Sequence, residues 1–294
     1  MLSRCVNYFL AVAEHRSFTR AATALYVSQP ALSQQISRLE ESLGTQLFDR
    51  TGRVTCLTDA GEVYFRFARQ ALQDLEEGKR AIHDVVDLSC GSLRVAITPT
   101  FTTYLVGPLI ESFHDLYPNV MMTILEMPQV QMETLLVDNE LDVGIAFDEV
   151  QSLDIETQPL LSEVLALVVN RDHRLAQCRM TGVNMLNEES MVLLTSEFVT
   201  RAQIDWYFRQ NRIRPRIQME ANSLSTVIEI VQRTDLATML PASIAINRDD
   251  LVAIELTPSE LRRTAALLRR KGAYQTMATR AFIELAHACV AVER

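Results

Sequence analysis

Residues 17–44, SFTRAATALYVSQPALSQQISRLEESLG, leave the backbone few choices. Ser17 and Ser28 stand where helix N-caps stand, each followed by apolar residues at helical spacing. Pro30 suits the first turn of a helix, because it has no N–H to give and its φ is fixed. Gly44 follows Leu43, where a left-handed cap ends helices. Phe18, Ala21, Ala22 and Leu25 form the inner face of one helix; Ala31, Leu32, Ile36, Leu39 and Leu43 form that of the next. Upstream, Leu2, Val6, Phe9, Leu10 and Ala13 share a face of a third. Downstream, QLFDRTGRVTCL (46–57) reads as two short strands around Thr51-Gly52. The spacing predicts three small helices and a β-wing.

The outward face of the helix after Ser28 carries Gln29, Ser33, Gln34, Ser37 and Arg38, where an ordinary solvated face would carry Lys and Glu. In a helix-turn-helix the second helix enters the DNA major groove with its N-terminal residues toward base edges. Gln reads adenine, Arg reads guanine and Ser adapts to either. The expected DNA contacts are Ser28, Gln29, Pro30, Ser33, Gln34 and Arg38. Pro30 can touch a thymine methyl, and Arg50 and Arg53 on the wing can reach phosphate or the minor groove. Charge placement agrees. Residues 1–58 hold six Arg against four acids, net +2, while the remaining residues hold 22 basic against 33 acidic, within a chain of net charge −9. The acidic bulk argues against non-specific nucleic-acid binding by the whole chain.

From Thr58-Asp59 to about residue 88 runs the longest helical pattern. Ala60, Tyr64, Phe67, Ala71, Leu75, Gly78, Ile82 and Val85 recur at spacings of three and four, nearly a heptad stripe that suits pairing with a second copy. After Cys90-Gly91-Ser92, apolar strand-type runs (LRVAITPT, VMMTILEM, LDVGIAF, LLSEVLALVVN, MVLLTS, RIQMEA, LATMLP, TAALLRR) alternate with helical segments near 102–117, 129–138, 200–210, 223–233 and 275–292. That alternation implies α/β lobes with parallel strands. The whole is an α+β multi-domain chain: a winged helix-turn-helix over 1–58, a linker and dimerisation helix over 59–89, and two Rossmann-like α/β lobes over 90–294. Lobe 1 covers about 90–161 and 266–294, and lobe 2 about 162–265.

The segment FTRAATALYVSQPALSQQISRLEESLGTQLFDR, followed by GRVTCLTDAG, closely resembles the N-terminal signature of LysR-type transcriptional regulators, and the resemblance extends along the whole chain. It implies an effector-binding domain of periplasmic-binding-protein type over 90–294, with the inducer between the lobes. It also implies a homotetramer, a dimer of dimers, bound to two half-sites of double-stranded promoter DNA and acting on RNA polymerase. Within the family, SRCVNYFLAVAEHRSFTRAA, GKRAIHDVVDLSCGSLRVAITPTFTTY and ELDVGIAF resemble cyanate-responsive activators, which implies cyanate or a similar small anion as inducer.

Ligands of open α/β sheets bind beyond the carboxyl ends of strands. Thr98-Pro99-Thr100-Phe101-Thr102-Thr103 ends one strand and opens a helix; its hydroxyls and backbone N–H groups suit a small anion, with no Lys or Arg in the loop. Thr98, Thr100, Phe101 and Thr102 are therefore expected effector contacts. Thr195, Phe198, Thr200 and Arg201 face them from the other lobe, Phe147 serves as a floor, and Gln129 lies at a strand end nearby, with Asn222, Ser223 and Pro241 as weaker candidates. Phe101, Phe147 and Phe198 would keep the pocket small enough for a triatomic anion.

The other observations exclude chemistry. Cys5, Cys56, Cys90, Cys178 and Cys289 form no C-x-x-C pair and suit reduced thiols of a cytoplasmic protein. His15, His83, His114, His173 and His287 are isolated. No metal site, P-loop, dinucleotide fingerprint or G-x-S-x-G is present, so neither an enzyme nor a resident cofactor is expected. No run of about 18 apolar residues marks a membrane span, and the N-terminus, broken by Asn7, Glu14 and His15, reads as a helix and not a signal peptide. Three alternatives remain: a family member tuned to another anion or metabolite, a thiol-based regulator, or a solute receptor or enzyme on the same two-lobe scaffold.

Overall fold

The computed structural model describes residues 2–50, 55–84, 91–246, 248–258 and 260–292. They form two compact units, Met1–Val85 and Val86–Arg294.

The first unit packs α1 (Leu2–His15), α2 (Phe18–Ala24) and α3 (Gln29–Leu43) around Phe9, Leu32, Ile36, Leu47 and Phe48. Ser17 Oγ accepts from Arg20 N–H (3.3 Å) and Ser28 Oγ from Ala31 N–H (3.4 Å). Gly44 ends α3 at φ 68°. The wing strands β1 (Phe48–Asp49) and β2 (Cys56–Leu57) pair antiparallel. The wing tip, 51–54, and with it Arg53, lies outside the described residues. The long helix α4 (Asp59–Asp84) starts against the wing, where a Cβ on Gly61 would lie 2.1 Å from the Leu47 carbonyl oxygen. Only a glycine lets the two backbones approach this closely. Val85 lies outside the described residues.

The apolar stripe of α4 divides. Tyr64, Phe65, Ala68 and Leu72 pack on the unit's own core, and the Tyr64 ring stands edge-on to Phe9 at 5.0 Å. Phe67, Leu75 and Ile82, at 71%, 55% and 69% exposure, stay outside.

The second unit contains β3 (Ser92–Ile97), α5 (Pro99–Thr102), α6 (Val106–Leu116), β4 (Met121–Glu126), α7 (Gln129–Val137), β5 (Val143–Phe147) and β6 (Ile155–Asn170). It continues with β7 (Met180–Gly182), a 3-10 turn, β8 (Ser190–Leu194), α8 (Val199–Gln210), β9 (Arg216–Ala221), α9 (Leu224–Arg233) and β10 (Thr238–Pro241). It ends with α10 (Ser243–Ile246), β11 (Leu251–Thr257), β12 (Leu261–Arg270) and α11 (Met277–Val292).

The expectation of parallel strands holds in three places. The strands β3, β4 and β5 are parallel to one another, as are β8 and β9, and as are β7 and β11. Elsewhere it is corrected: β12 runs antiparallel to β5 and β6, and β10 and β11 run antiparallel to β6. Three elements, β7, β11 and α10, were not legible in the sequence. LVAIELT alternates only partly, and its burial alternates with it. The helix expected near 102–117 is α6, starting four residues later and preceded by the single turn α5.

Two strands cross from lobe to lobe. The sixteen residues of β6 and ten of β12 pair antiparallel across the boundary, with a register break between Ala265 and Ala266. On one side lies a core around Phe101, Phe113, Phe147 and Phe282; on the other lie cores around Leu167, Met191 and Tyr207 and around Val192, Val227 and Leu240.

Candidate functional site

In the first unit Ser28, Gln29, Pro30, Gln34 and Arg38 are exposed along one face of α3 and Ser33 is half-buried beside them. Leu32 and Ile36 on the opposite side are fully buried. Arg50 is less free than its sequence context suggests. Its Nη2 donates to Glu40 Oε2 (2.9 Å), and its guanidinium lies 4.9 Å from the Phe18 ring centroid. Glu40 Oε1 also accepts from the N–H groups of Leu47 and Phe48, so one carboxylate ties α3 to the wing. One exposed residue escaped the sequence reading. Tyr26, in the turn between α2 and α3, is almost wholly exposed and takes φ 55°. Glycine is the default in that conformation, and nothing in the composition marks a tyrosine there.

The boundary between the lobes of the second unit is built on the two crossing strands. Glu163 on β6 and Arg263 on β12 are register partners, each only 6% exposed. Arg263 Nε donates to Glu163 Oε1, and the Tyr104 hydroxyl donates to Glu163 Oε2. From lobe 2, α8 brings Thr200 and Gln203: Arg263 Nη1 donates to Thr200 Oγ1 (2.8 Å) and to Gln203 Oε1 (3.3 Å). Thr200 Oγ1 lies 3.4 Å from Thr100 Oγ1 of lobe 1. The guanidinium sits 4.3 Å from the Phe147 ring centroid, and Phe147 stacks at a tilt on Phe101 at 5.2 Å. Arg263 Nη2 is buried with no hydrogen-bond partner among the described residues. Leaving such a donor unmet costs about 1–3 kcal/mol.

Burial pushes the Arg263 guanidinium below its ordinary value, against the pull of Glu163 and Tyr104. Burial first, and Glu163 second, hold the Tyr104 phenol well above its usual range, so it stays a proton donor.

Of the expected cleft residues, the structure gathers Thr100, Phe101, Phe147 and Thr200 here. The others go elsewhere. Thr98 is turned to the sheet, donating to the Ile145 carbonyl at 3.5 Å. Thr102 is exposed. Gln129 spends both ends of its amide on backbone: Nε2 donates to Phe147 O (3.2 Å) and Glu149 O (2.8 Å), and Oε1 accepts from Phe147 N–H (3.1 Å). Thr195 donates to Glu197 (2.8 Å), Phe198 packs with the second core of lobe 2, and Asn222 is exposed while Ser223 N-caps α9 without a side-chain bond. Pro241 closes β10. Arg201 points away from the ring, to Asp205 (2.9 Å), Glu220 (2.6 Å) and the Leu194 carbonyl (2.7 Å).

The α5 helix is one turn, too short for a useful dipole, and the buried cation beside the Thr100 loop is Arg263, distant in sequence. In the sequence Glu163 interrupts the apolar run LLSEVLALVVN, and Arg263 is the second of two Arg directly before TAALLRR.

A cavity of about 700 Å³ opens on lobe 2, beside His173, Arg174, Glu188, Glu189 and Gln218. Arg174 on its wall is paired with Glu189 at 2.5 Å, and His173 Nε2 lies 3.4 Å from the same carboxylate. Among the described residues no group of three or more His, Cys, Asp or Glu could hold a metal ion, and no helix is long and apolar enough to cross a membrane.

Residues 4–62 match the bacterial regulatory helix-turn-helix protein family of LysR type, and residues 87–289 match the LysR substrate binding domain. The chain belongs to the LysR-type transcriptional regulators. Among relatives of this LysR-type chain, the uncharacterized HTH-type transcriptional regulator YbhD of Escherichia coli is 30% identical over 279 residues, 94% of this chain and 88% of that one. The hydrogen peroxide-inducible genes activator of Dickeya chrysanthemi is 30% identical over 273 residues, 92% of this chain and 89% of that one. Full-length OxyR from Pseudomonas aeruginosa shares the fold, with a TM-score of 0.69 at 24% identity, covering 99% of this chain and 94% of that one. Family members are transcriptional regulators and not enzymes. This LysR-type regulator accordingly couples a DNA-binding head to an effector-binding domain.

Proposed function

We propose that this regulator senses a small anion bound between its lobes, with Arg263 as countercharge, Thr100 and Thr200 as hydroxyl partners and Phe101 and Phe147 as walls. The observation that carries the reading is the buried, unpartnered Nη2 of Arg263 in the cleft. Buried donors are almost always met, so an unmet one in a cleft points to a ligand. Cyanate is the first candidate, on the resemblance described above and on the aromatic walls that limit the space. The peroxide-responsive relative suggests a thiol switch instead, but Cys178 is the one cysteine between Cys90 and Cys289. A dithiol inside lobe 2 has no second member.

The operator-reading set is Ser28, Gln29, Pro30, Ser33, Gln34 and Arg38, with Arg50 and Arg53 toward the backbone. The assembly is a dimer of dimers. The open stripe on α4 supports one interface. The edge strand β4, with Met121, Ile124 and Leu125 exposed, and the edge strand β9, with Ile217 and Met219 exposed, support another. Anion binding then alters the spacing of the heads and the bend of the promoter, which RNA polymerase senses.

The test is footprinting and bend analysis on DNA from the gene's own upstream region, with cyanate, azide or bicarbonate added. A footprint that shortens or unbends with cyanate or azide, and an Arg263→Met variant that binds the same DNA yet ignores both, is the expected result. A footprint indifferent to all three anions discards the anion.

A further inference from the structure

A ring of polar contacts runs through both lobes. Tyr104 of lobe 1 holds Glu163, Glu163 holds Arg263, Arg263 holds Thr200 of lobe 2, and Thr200 meets Thr100 of lobe 1. The manner in which Glu163 meets Arg263 is incomplete. A guanidinium offers its Nε and Nη2 protons as a parallel fork that matches the two oxygens of one anion. This chain fills such a fork elsewhere: Arg94 gives Nε to Asp142 Oδ2 (3.2 Å) and Nη2 to Asp142 Oδ1 (2.7 Å). Glu163 takes only the Nε prong of Arg263, because its second oxygen is turned to Tyr104, and the Nη2 prong is left empty.

We infer that Glu163 is a built-in placeholder on Arg263, and that an effector anion works by displacing it from the fork and so opening the ring that ties the lobes together. The inference rests on the small-anion reading of the cleft and adds how occupancy becomes a signal. An anion seated on Nη2 alone would share one buried cation with the Glu163 carboxylate, two like charges a few ångströms apart with no second cation in the ring. An anion that takes both prongs meets both donors and removes that repulsion. A ligand shifts a conformational balance only by binding its two states unequally. Here the inequality is explicit: the closed ring and the filled fork exclude each other.

Two variants of the full-length protein test this: Glu163→Gln, which weakens the placeholder, and Tyr104→Phe, which keeps the ion pair and cuts the ring at its lobe 1 end. Calorimetric titration with sodium azide, cyanate and bicarbonate is run beside footprinting without any anion. The expected result is that both variants give, without anion, the footprint that the parent gives only with it. Glu163→Gln should also bind the active anion at least tenfold more tightly. Tighter binding by itself would follow from simple charge removal; the ligand-independent footprint would not. If the parent binds an anion but both variants keep the parent's ligand-free footprint, displacement is wrong and the anion site stands. If neither parent nor variants bind any of the three, both the anion reading and this inference fall. Glu163→Gln carries the greater folding risk, and Tyr104→Phe decides the matter if it unfolds.

Discussion

Gln29 and Arg201 show how differently a polar side chain can be used. Gln29 is exposed at the start of α3, with no hydrogen-bond partner among the described residues. Replacing Gln29 with Ala should weaken binding to operator DNA by about 1–3 kcal/mol and binding to random DNA hardly at all. Equal losses on the two, in a titration at fixed salt, would make Gln29 a backbone contact. Arg201 stood beside Thr200 in the sequence as an equal candidate for the effector, yet adjacent positions on a helix point about 100° apart. Thr200 faces the ring; Arg201 faces Asp205, Glu220 and the Leu194 carbonyl. Arg201→Ala should cost about 1–3 kcal/mol of stability through its charged hydrogen bonds and leave anion affinity within twofold. A large loss of affinity with unchanged melting would reverse that assignment. At this scale the sequence was readable where one helix decides everything, as on α3, because spacing along a helix fixes which residues share a face. It was unreadable where the partner lies far along the chain. Glu163 and Arg263 meet only through strand register, and no local pattern records register.

Elements follow a similar division. Helices with caps and a single apolar face, α1 to α4, lie where the pattern puts them, since the cap chemistry is local: Ser17, Ser28 and Gly44 each act within four residues. The crossing strands β6 and β12 broke the expectation of an all-parallel arrangement because both faces of such strands are covered. Their buried stretches, VLALVV and TAALL, read the same in either direction. For α4 the structure sharpens the reading by splitting one stripe into two uses. Its first half anchors the head through Tyr64 and Ala68, whereas Phe67, Leu75 and Ile82 remain uncovered at intervals of eight and seven residues. A lone helix has no means of burying that second face. Replacing Leu75 and Ile82 together with Lys should therefore take the proposed dimer of dimers down to a dimer in light scattering, while the helical far-UV signal changes little. Each buried Leu or Ile side chain supports an interface by about 1.5–3 kcal/mol, so two on each of two helices are enough to decide association. If the double variant keeps its mass, the stripe is not the dimer contact and the edge strands β4 and β9 must carry it.

At the scale of the whole molecule the question is whether cleft and head belong to one switch. They fold as separate units with separate cores, so nothing in the packing of either requires it to respond to the other. Their coupling has to be a free energy between two binding equilibria, and such a coupling is reciprocal. If an anion changes operator affinity by some factor, operator DNA must change anion affinity by the same factor. The charge distribution makes the measurement clean. The head carries the positive surplus and the rest the acidic excess, so added salt acts on DNA binding through phosphate contacts, while the cleft cation is buried and screened little. Titrating azide or cyanate into the free protein and into its operator complex at one salt concentration should give dissociation constants that differ by five- to 150-fold, the range of about 1–3 kcal/mol typical of allosteric coupling. The factor should equal the one obtained by titrating DNA with and without anion. Equal anion affinities for free and bound protein would mean that the cleft binds without signalling. Unequal factors from the two routes would mean that a third equilibrium, most simply subunit association through α4, is linked to both, and repeating the titrations at tenfold lower protein concentration would expose it.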